Sequence, residues 1–336
     1  MSRHSVPGST PAITAVDLVK TYPGRRGKPP VKALDGLSFG AAAGSVFGLL
    51  GPNGAGKSTA VKILSTLSRA DSGIAEVAGI DVARHPEKVR ASIGFVAQKS
   101  VCDPMDTGYE NLVLAGRLQG LAGSEAKTRA RELLARSALT EAKDRLVKTY
   151  SGGMARRLDV AVGLVHRPAV LFLDEPTTGL DPEARADMWD EIESMASAES
   201  MTVLLTTHYL DEADRLAAEV AILDGGRILA SGSPDELKRE LRGDAVIIGV
   251  ALDADPARAR GVLERIPSIW EVSCDARIIR ARTDDGAAAL PQALAALDAA
   301  GVAVASATLA RPSLDDVYLR HTGRAYSAAD AQEVAA

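Results

Sequence analysis

Several things are scarce in this 336-residue chain. Long apolar runs are absent: its apolar stretches, such as residues 46–50 and 170–173, are strand-sized, and none approaches the ~18 consecutive apolar residues that span a bilayer. The opening MSRHSVPGSTP has no apolar core, so it is not expected to act as a secretory leader. The chain is expected to stay in the cytoplasm, and any membrane role would need a partner. Cysteine is nearly missing. Cys102 and Cys274 lie far apart without metal-ligand spacing and read as free thiols in a reducing compartment. A basic excess is missing too. With 39 Lys and Arg against 44 Asp and Glu, the net charge is −5, which argues against nucleic acid as the main ligand. The local cluster Arg25, Arg26 and Lys28 reads as a solvated turn. No internal repeat is visible.

What is present describes a globular protein: 46% apolar and 25% charged residues, with length for two ordinary domains. Residues 1–11 are polar and punctuated by Pro7, Gly8 and Pro11, and are expected to be disordered. Strands are predicted at 13–18, 31–39, 45–50 and 93–96, and a helix over 60–67. Thr107, Gly108, Tyr109 and Glu110 fit a capping box. It opens a helical stretch that, with a second helix at 125–137, reads as an insert over about 100–155. From Arg167 onward, strand-sized and helix-sized segments alternate, which implies a mostly parallel sheet with helices on its faces. Ser233, Pro234, Asp235 and Glu236 combine an N-cap, a proline at the first helical position and a glutamate at the third. They mark a domain boundary. Beyond them, strands at 245–251, 269–274, 277–282 and 302–309, with helices at 256–265 and 287–299, predict a small α+β domain of split β-α-β pattern. Ser313, Leu314, Asp315 and Asp316 start a last helix and Gly323 stops it.

Two stretches carry chemistry. Gly51, Pro52, Asn53, Gly54, Ala55, Gly56, Lys57, Ser58 and Thr59 match the phosphate-binding loop G-x-x-x-x-G-K-[ST]. Its glycines let backbone N–H groups turn inward around an anion, and the following helix offers its positive end. Lys57 can reach the β- and γ-phosphates, and the Ser58 hydroxyl can ligate Mg²⁺. A buried apolar strand before the loop and a helical pattern after it supply the required context.

The second stretch runs over residues 150–181. The apolar strand at 170–173 ends in Asp174 and Glu175. A carboxylate at the tip of a parallel strand beside a phosphate loop suits Mg²⁺, directly or through water. A second, adjacent carboxylate suits a general base for an attacking water. The competing reading is a solvated strand end, which the following Pro176, Thr177, Thr178, Gly179, Leu180 and Asp181 disfavours. Upstream, Ser151, Gly152 and Gly153 precede a helical run, so their N–H groups and the Ser151 hydroxyl can meet a phosphate. Alone this is a weak signal, since glycine turns before helices are common.

Taken in order, GPNGAGKST, SGGM, VLFLDEP, GLD and TTH resemble the ATP-binding subunit of an ABC transporter over about residues 12–230. The resemblance implies an α/β P-loop NTPase fold, an ABC-type nucleotide-binding domain over 12–232 with its helical insert, then a small α+β regulatory or dimerisation domain over 233–323 and a flexible tail over 324–336. It implies ATP and Mg²⁺ as ligands and a homodimer. ATP would sit between two chains, each phosphate loop facing the other chain's Ser151, Gly152 and Gly153. It implies Glu175 as the base and His208 as a γ-phosphate contact. Gln98 would sense Mg²⁺ and the membrane subunit; composition alone reads it as a polar loop residue. Tyr22 would stack on adenine, against a reading as plain packing. Asp181 would reach across the dimer.

One departure narrows the comparison. The usual Leu-Ser-Gly-Gly-Gln appears as Tyr150, Ser151, Gly152, Gly153 and Met154, which puts a role for the glutamine in doubt. With Arg156, Arg157, Leu158, Asp159 and the later PSLDDVYL, these flanks are similar to the daunorubicin-resistance ATP-binding proteins of bacterial exporters. That likeness implies ATP-driven efflux of a hydrophobic, anthracycline-like drug through a separate integral membrane permease, with this chain peripheral on the cytoplasmic side of the cell membrane. Another cargo (lipid, polysaccharide or ion) or a non-transport ABC ATPase is the alternative. Against a chromosome or ribosome role stand the lack of a long coiled coil, the single ATP domain and the charge balance. The region after Ser233 could regulate, stabilise a dimer, or simply cap apolar surface; no polar constellation there supports a ligand site.

Overall fold

The computed structural model describes residues 11–24, 29–241, 243–310 and 312–322. The basic cluster at 25–28, Gly323 and the tail at 324–336 lie outside the described residues, as do residues 1–10. Pro11, assigned by sequence to the N-terminal segment, is the first residue of a strand. The described residues divide into two compact units, one ending at Ser233 and the other beginning at Pro234.

In the first unit the order is β1 (Pro11–Tyr22), β2 (Val31–Ala42), β3 (Val46–Leu50), α1 (Lys57–Leu64), β4 (Ser72–Val77), β5 (Ile80–Asp81), α2 (Pro86–Ser92), β6 (Ile93–Val96), α3 (Gly108–Leu118), α4 (Gly123–Arg136), α5 (Gly152–Gly163), β7 (Val170–Asp174), α6 (Pro182–Glu199), β8 (Thr202–Thr207), α7 (Leu210–Leu216), β9 (Glu219–Asp224) and β10 (Arg227–Gly232). The central sheet runs β10-β9-β3-β8-β7-β6. All its neighbours are parallel except the β10–β9 pair. Its strands are buried on both faces, which is why β3 and β8 are buried at every position. Period-two alternation then sorts β7. Val170 and Phe172 join one core with Phe47, Leu49 and α1. Leu171 and Leu173 join a second core with Leu112, Leu133, Leu158 and Ile192, from α3 to α6.

A separate antiparallel sheet, β2-β1-β4-β5, closes the first core with Ile13, Leu18, Leu34 and Leu37. The sequence reading has no counterpart for β4, β5 or α2. The helix predicted at 60–67 starts earlier and ends at Leu64; just beyond it Thr66 takes a left-handed backbone, φ 65°. The capping box at α3 forms as expected. Glu110 N–H donates to Thr107 Oγ1 at 3.2 Å, and Thr107 N–H donates to Glu110 Oε2 at 2.9 Å. Both cysteines are free. Cys102 is half-buried, and burial, with Asp159 beside it, pushes its thiol up to about 12. That removes thiolate reactivity.

The second unit follows the order α8 (Pro234–Arg239), β11 (Asp244–Val250), α9 (Pro256–Leu263), β12 (Trp270–Asp275), β13 (Ile278–Thr283), α10 (Gly286–Ala299), β14 (Val304–Ala310) and α11 (Leu314–Thr322). Its antiparallel sheet has the order β12-β13-β11-β14, the split β-α-β arrangement. Val246, Ile248 and Val250 alternate along β11 into a core with Leu263 and Leu297. Ser313 and Asp316 cap α11 reciprocally: Asp316 N–H donates to Ser313 Oγ at 3.3 Å, and Ser313 N–H donates to Asp316 Oδ2 at 3.0 Å.

One carboxyl in the first unit is fully buried. Glu212, on α7, is 0% exposed; Thr177 Oγ1 and Trp189 Nε1 both donate to its Oε1, at 2.9 and 3.1 Å. Burial pushes this carboxyl above its ordinary value, although the hydrogen bonds from Thr207, Thr177 and Trp189 pull the other way. A raised folded-state pKa gives stability that is complete below the unfolded value and is lost as pH rises through the folded one. Glutamine mimics the neutral acid and does not titrate. The melting temperature of the Glu212→Gln protein should therefore gain on that of the parent as pH rises from about 4.5 upward. A difference that stays constant with pH would contradict a raised Glu212.

Candidate functional site

The loop between β3 and α1 is built around backbone. Gly56, the N-cap of α1, has φ 111°, and a Cβ there would lie 2.5 Å from the carbonyl oxygen of Ala33, so only glycine fits. Unlike α3, α5 and α6, which are capped by Thr107, Ser151 and Asp181, α1 has no side-chain cap. Its first N–H groups are thus available to an anion, and the helix end favours negative charge. The residues fit a phosphate on this ground, not only on motif.

Lys57 is the first residue of α1 and is only 4% exposed. Its ammonium donates to the carbonyl oxygens of Gly51 and Pro52, at 2.6 and 3.2 Å, and lies 3.8 Å from Glu175 Oε1. Burial pulls its pKa down, and the charges of Glu175 and Asp174 hold it up. Ser58 Oγ donates to Asp174 Oδ1 at 3.4 Å, and Thr206 Oγ1 donates to the same oxygen at 2.6 Å. Hydroxyl, carboxylate and amide oxygens are the donors Mg²⁺ takes, with phosphate and water completing its shell. Ser58, Asp174 and Gln98 supply that set.

Glu175 follows the last residue of β7. Gln98 Nε2 donates to its Oε2 at 3.1 Å, and Thr178 Oγ1 to the same oxygen at 3.3 Å. His208 Nδ1 lies 3.3 Å from Oε1, off the line of a formed hydrogen bond. Burial would raise the Glu175 carboxyl, but His208, Lys57 and Thr178 outweigh it and hold the group below its ordinary value. It is therefore an ionised carboxylate at neutral pH, as a proton acceptor requires. Its backbone is left-handed, φ 50°, and its N–H donates to both Thr206 O and Thr206 Oγ1 at 3.1 Å.

The structure thus brings Lys57, Ser58, Gln98, Asp174, Glu175 and His208 into one cluster at the carboxyl ends of the parallel strands. Ser151, Gly152, Gly153 and Asp181 form another. Ser151 Oγ caps α5 through Met154 N–H at 3.2 Å, and Asp181 Oδ1 caps α6 through Ala184 N–H at 2.9 Å. A Cβ on Gly153 would meet that of Ala184 at 2.9 Å, so the two helix starts are in contact. Among the described residues, no hydrogen bond or ion pair joins Ser151 or Asp181 to Lys57, Asp174 or Glu175. Tyr22 stands at the end of β1, 36% exposed, with the Lys20 ammonium 5.5 Å above its ring.

Sequence reasoning missed Thr206 and Thr178, which orient the two carboxylates, and gave Arg156 and Asp159 no role beyond that of flanking residues. Both lie on the buried face of α5. A charged pair three residues apart on an otherwise apolar and glycine face is the signal that could have revealed them.

Comparison with known proteins gives the family of this chain. Residues 34–178 match the family model described as ABC transporter, and residues 232–322 match the C-terminal domain of ATP-binding protein DrrA1-3-like. The chain is 47% identical to the daunorubicin resistance ATP-binding protein DrrA2 of Streptomyces coeruleorubidus over 96% of this chain and 99% of that one. It is 45% identical to the daunorubicin/doxorubicin resistance ATP-binding protein DrrA of Streptomyces peucetius, covering 94% and 93%. A solved dimeric structure of a bacterial ABC transporter cassette aligns with TM-score 0.60 at 25% identity, covering 66% of this chain and 98% of that one. The phosphate loop, the paired carboxylates, the matched models and the near-complete overlap converge: this chain belongs to the ABC transporter ATP-binding proteins, within the daunorubicin-resistance group.

Proposed function

We propose that this chain is the ATP-hydrolysing subunit of an exporter that removes a hydrophobic, anthracycline-like compound, and that two copies close around two ATP molecules. The observation that carries the reading is the ionised Glu175 with Lys57, Gln98 and His208 around it. The uncapped α1 and Lys57 bind the phosphates. Ser58, Asp174 and Gln98 would hold Mg²⁺, which would screen the charge of the phosphate oxygens. Glu175 accepts a proton from the attacking water, and His208 contacts the γ-phosphate. Exposed Ser151 and Gly152, which among the described residues have no hydrogen bond or ion pair to their own chain's phosphate loop, serve the partner's nucleotide. Likeness to a dimeric cassette supports that arrangement. Tyr22 stacks on adenine.

Likeness to the daunorubicin-resistance ATP-binding proteins supports translocation through a separate membrane subunit, with this chain at the cytoplasmic face; no helix among the described residues is long and apolar enough to cross a membrane. Val101, Met105, Leu114 and Leu118 are 50–79% exposed. They follow Gln98 and run onto α3, which supports docking of the membrane subunit there. The second unit is proposed to regulate or stabilise the dimer; its independent core supports a self-contained module.

Glu175→Gln should slow ATP hydrolysis by about two orders of magnitude or more and accumulate an ATP-bound dimer by size-exclusion chromatography. Turnover near the parental rate would remove Glu175 as the base. Expression of this chain in a drug-sensitive host should confer no resistance until a cognate membrane subunit is co-expressed; resistance from this chain alone would contradict the exporter reading.

A further inference from the structure

Arg156 is on α5, one turn beyond Gly153, and is 7% exposed. Its guanidinium donates to three backbone carbonyls on two separate segments: Nε to Pro176 O at 2.7 Å, Nη1 to Ala97 O at 2.5 Å and Nη2 to Asp174 O at 3.3 Å. Each carbonyl belongs to a peptide plane, and a plane fixes the residue that follows it. The Ala97 plane carries the N–H of Gln98, and the Asp174 plane carries that of Glu175. One planar fork therefore grips the backbone immediately before Gln98 and on both sides of Glu175, the two residues whose side chains meet at 3.1 Å.

Asp159, one turn further along α5 and 4% exposed, holds the other end of the same loop. Its Oδ1 accepts from Ser100 Oγ at 2.7 Å, from Val101 N–H at 3.4 Å and from the Cys102 thiol at 3.4 Å. Its Oδ2 lies 3.9 Å from Arg156 Nη1, so each buried charge has its counter-charge beside it. The loop from Ala97 to Cys102 is consequently pinned at both ends to a single helix face. The left-handed backbone of Glu175 is of the kind that persists only where its surroundings over-determine it. Thr206 grips its N–H, and Arg156 grips the carbonyls before and after it.

We propose that Arg156 and Asp159 are positioning residues that set the distance between Gln98 and Glu175, Arg156 by bridging the two segments and Asp159 by fixing the far end of the Gln98 loop. Among the described residues neither has a hydrogen bond to the side chain of Gln98 or Glu175: Arg156 acts through backbone carbonyls, and Asp159 through the Ser100 hydroxyl, the Val101 N–H and the Cys102 thiol. A lysine cannot substitute for Arg156, because a single ammonium does not present a planar fork to three carbonyls. The proposal rests on Glu175 being the base and Gln98 its neighbour in the hydrolytic site.

The test uses the full chain, steady-state ATP hydrolysis, affinity for a fluorescent ATP analogue, and thermal unfolding. Arg156→Lys should lower kcat by about tenfold or more while leaving nucleotide affinity within about twofold. In a Gln98→Ala background the same substitution should cost less than about threefold, because the distance it controls no longer matters. A parental kcat, or losses that multiply fully across the two backgrounds, would overturn the proposal. Should Arg156→Lys unfold below the assay temperature, Asp159→Asn takes its place. It should show a smaller fall in kcat, about threefold, with the same non-additivity, and a parental kcat there would be equally fatal. Glu175→Gln separates the two levels of argument. If it hydrolyses ATP normally, the base assignment fails; if it is inactive while Arg156→Lys is parental, only the positioning role fails.

Discussion

A single carboxylate organises the first unit. Glu175 draws side chains from four places in the chain: Lys57 from the start of α1, Gln98 from the loop after β6, Thr178 from its own turn, and His208 from the end of β8. Burial opposes its charge, and His208, Lys57 and Thr178 restore it. The parallel sheet makes this possible. β3, β7 and β8 run in register side by side, so the loops at their carboxyl ends open onto one crevice. The two apolar cores on either side of that sheet serve to hold those strand ends fixed.

In the proposed reading Glu175 is complete within one chain as a base, while the nucleotide site takes a second chain. Ser151 and Gly152 are exposed at the head of α5, separate from the Lys57 cluster and packed instead beside the start of α6. The same helix carries Arg156 and Asp159 in its buried middle. α5 thus presents one end outward and uses its next two turns to grip the Gln98 loop and the end of β7. That division explains why a helix in an α/β core carries a buried ion pair, at some cost in desolvation, where apolar residues would pack.

What the sequence made legible follows from the physics of each element. β3, β7 and β8 are short apolar runs between motifs, and full burial of a parallel strand leaves that mark. The residues of the phosphate loop and the two carboxylates announce themselves because their chemistry needs particular side chains at fixed spacing. β4 was invisible: Ser72, Gly73 and Ile74 are exposed, and its partner β1 is more than fifty residues away, so pairing and not pattern defines it; β5, two residues long, exists only by pairing with β4. Arg156 was visible only as a flank of the Ser-Gly-Gly turn, because all three of its hydrogen-bond acceptors are backbone carbonyls, which leave no trace in residue identity. Thr206 and Thr178 were hidden likewise, since a threonine near a strand end is ordinary until its hydroxyl is seen on a carboxylate.

The central claim is that each nucleotide site takes its phosphate loop from one chain and its Ser-Gly-Gly turn from the other. Mixing two inactive proteins tests it directly. Lys57→Ala disables the loop, and Gly152→Asp, whose new side chain has room since a Cβ there meets nothing closer than Leu180 at 3.8 Å, sets a negative charge against the partner's phosphates. Neither protein should hydrolyse ATP alone. When they are mixed and allowed to exchange, mixed dimers hold one site with both halves intact, and hydrolysis should return to roughly a quarter of the parental rate if chains pair at random and sites act independently. Activity that stays at the level of the separate proteins would contradict a site shared between two chains.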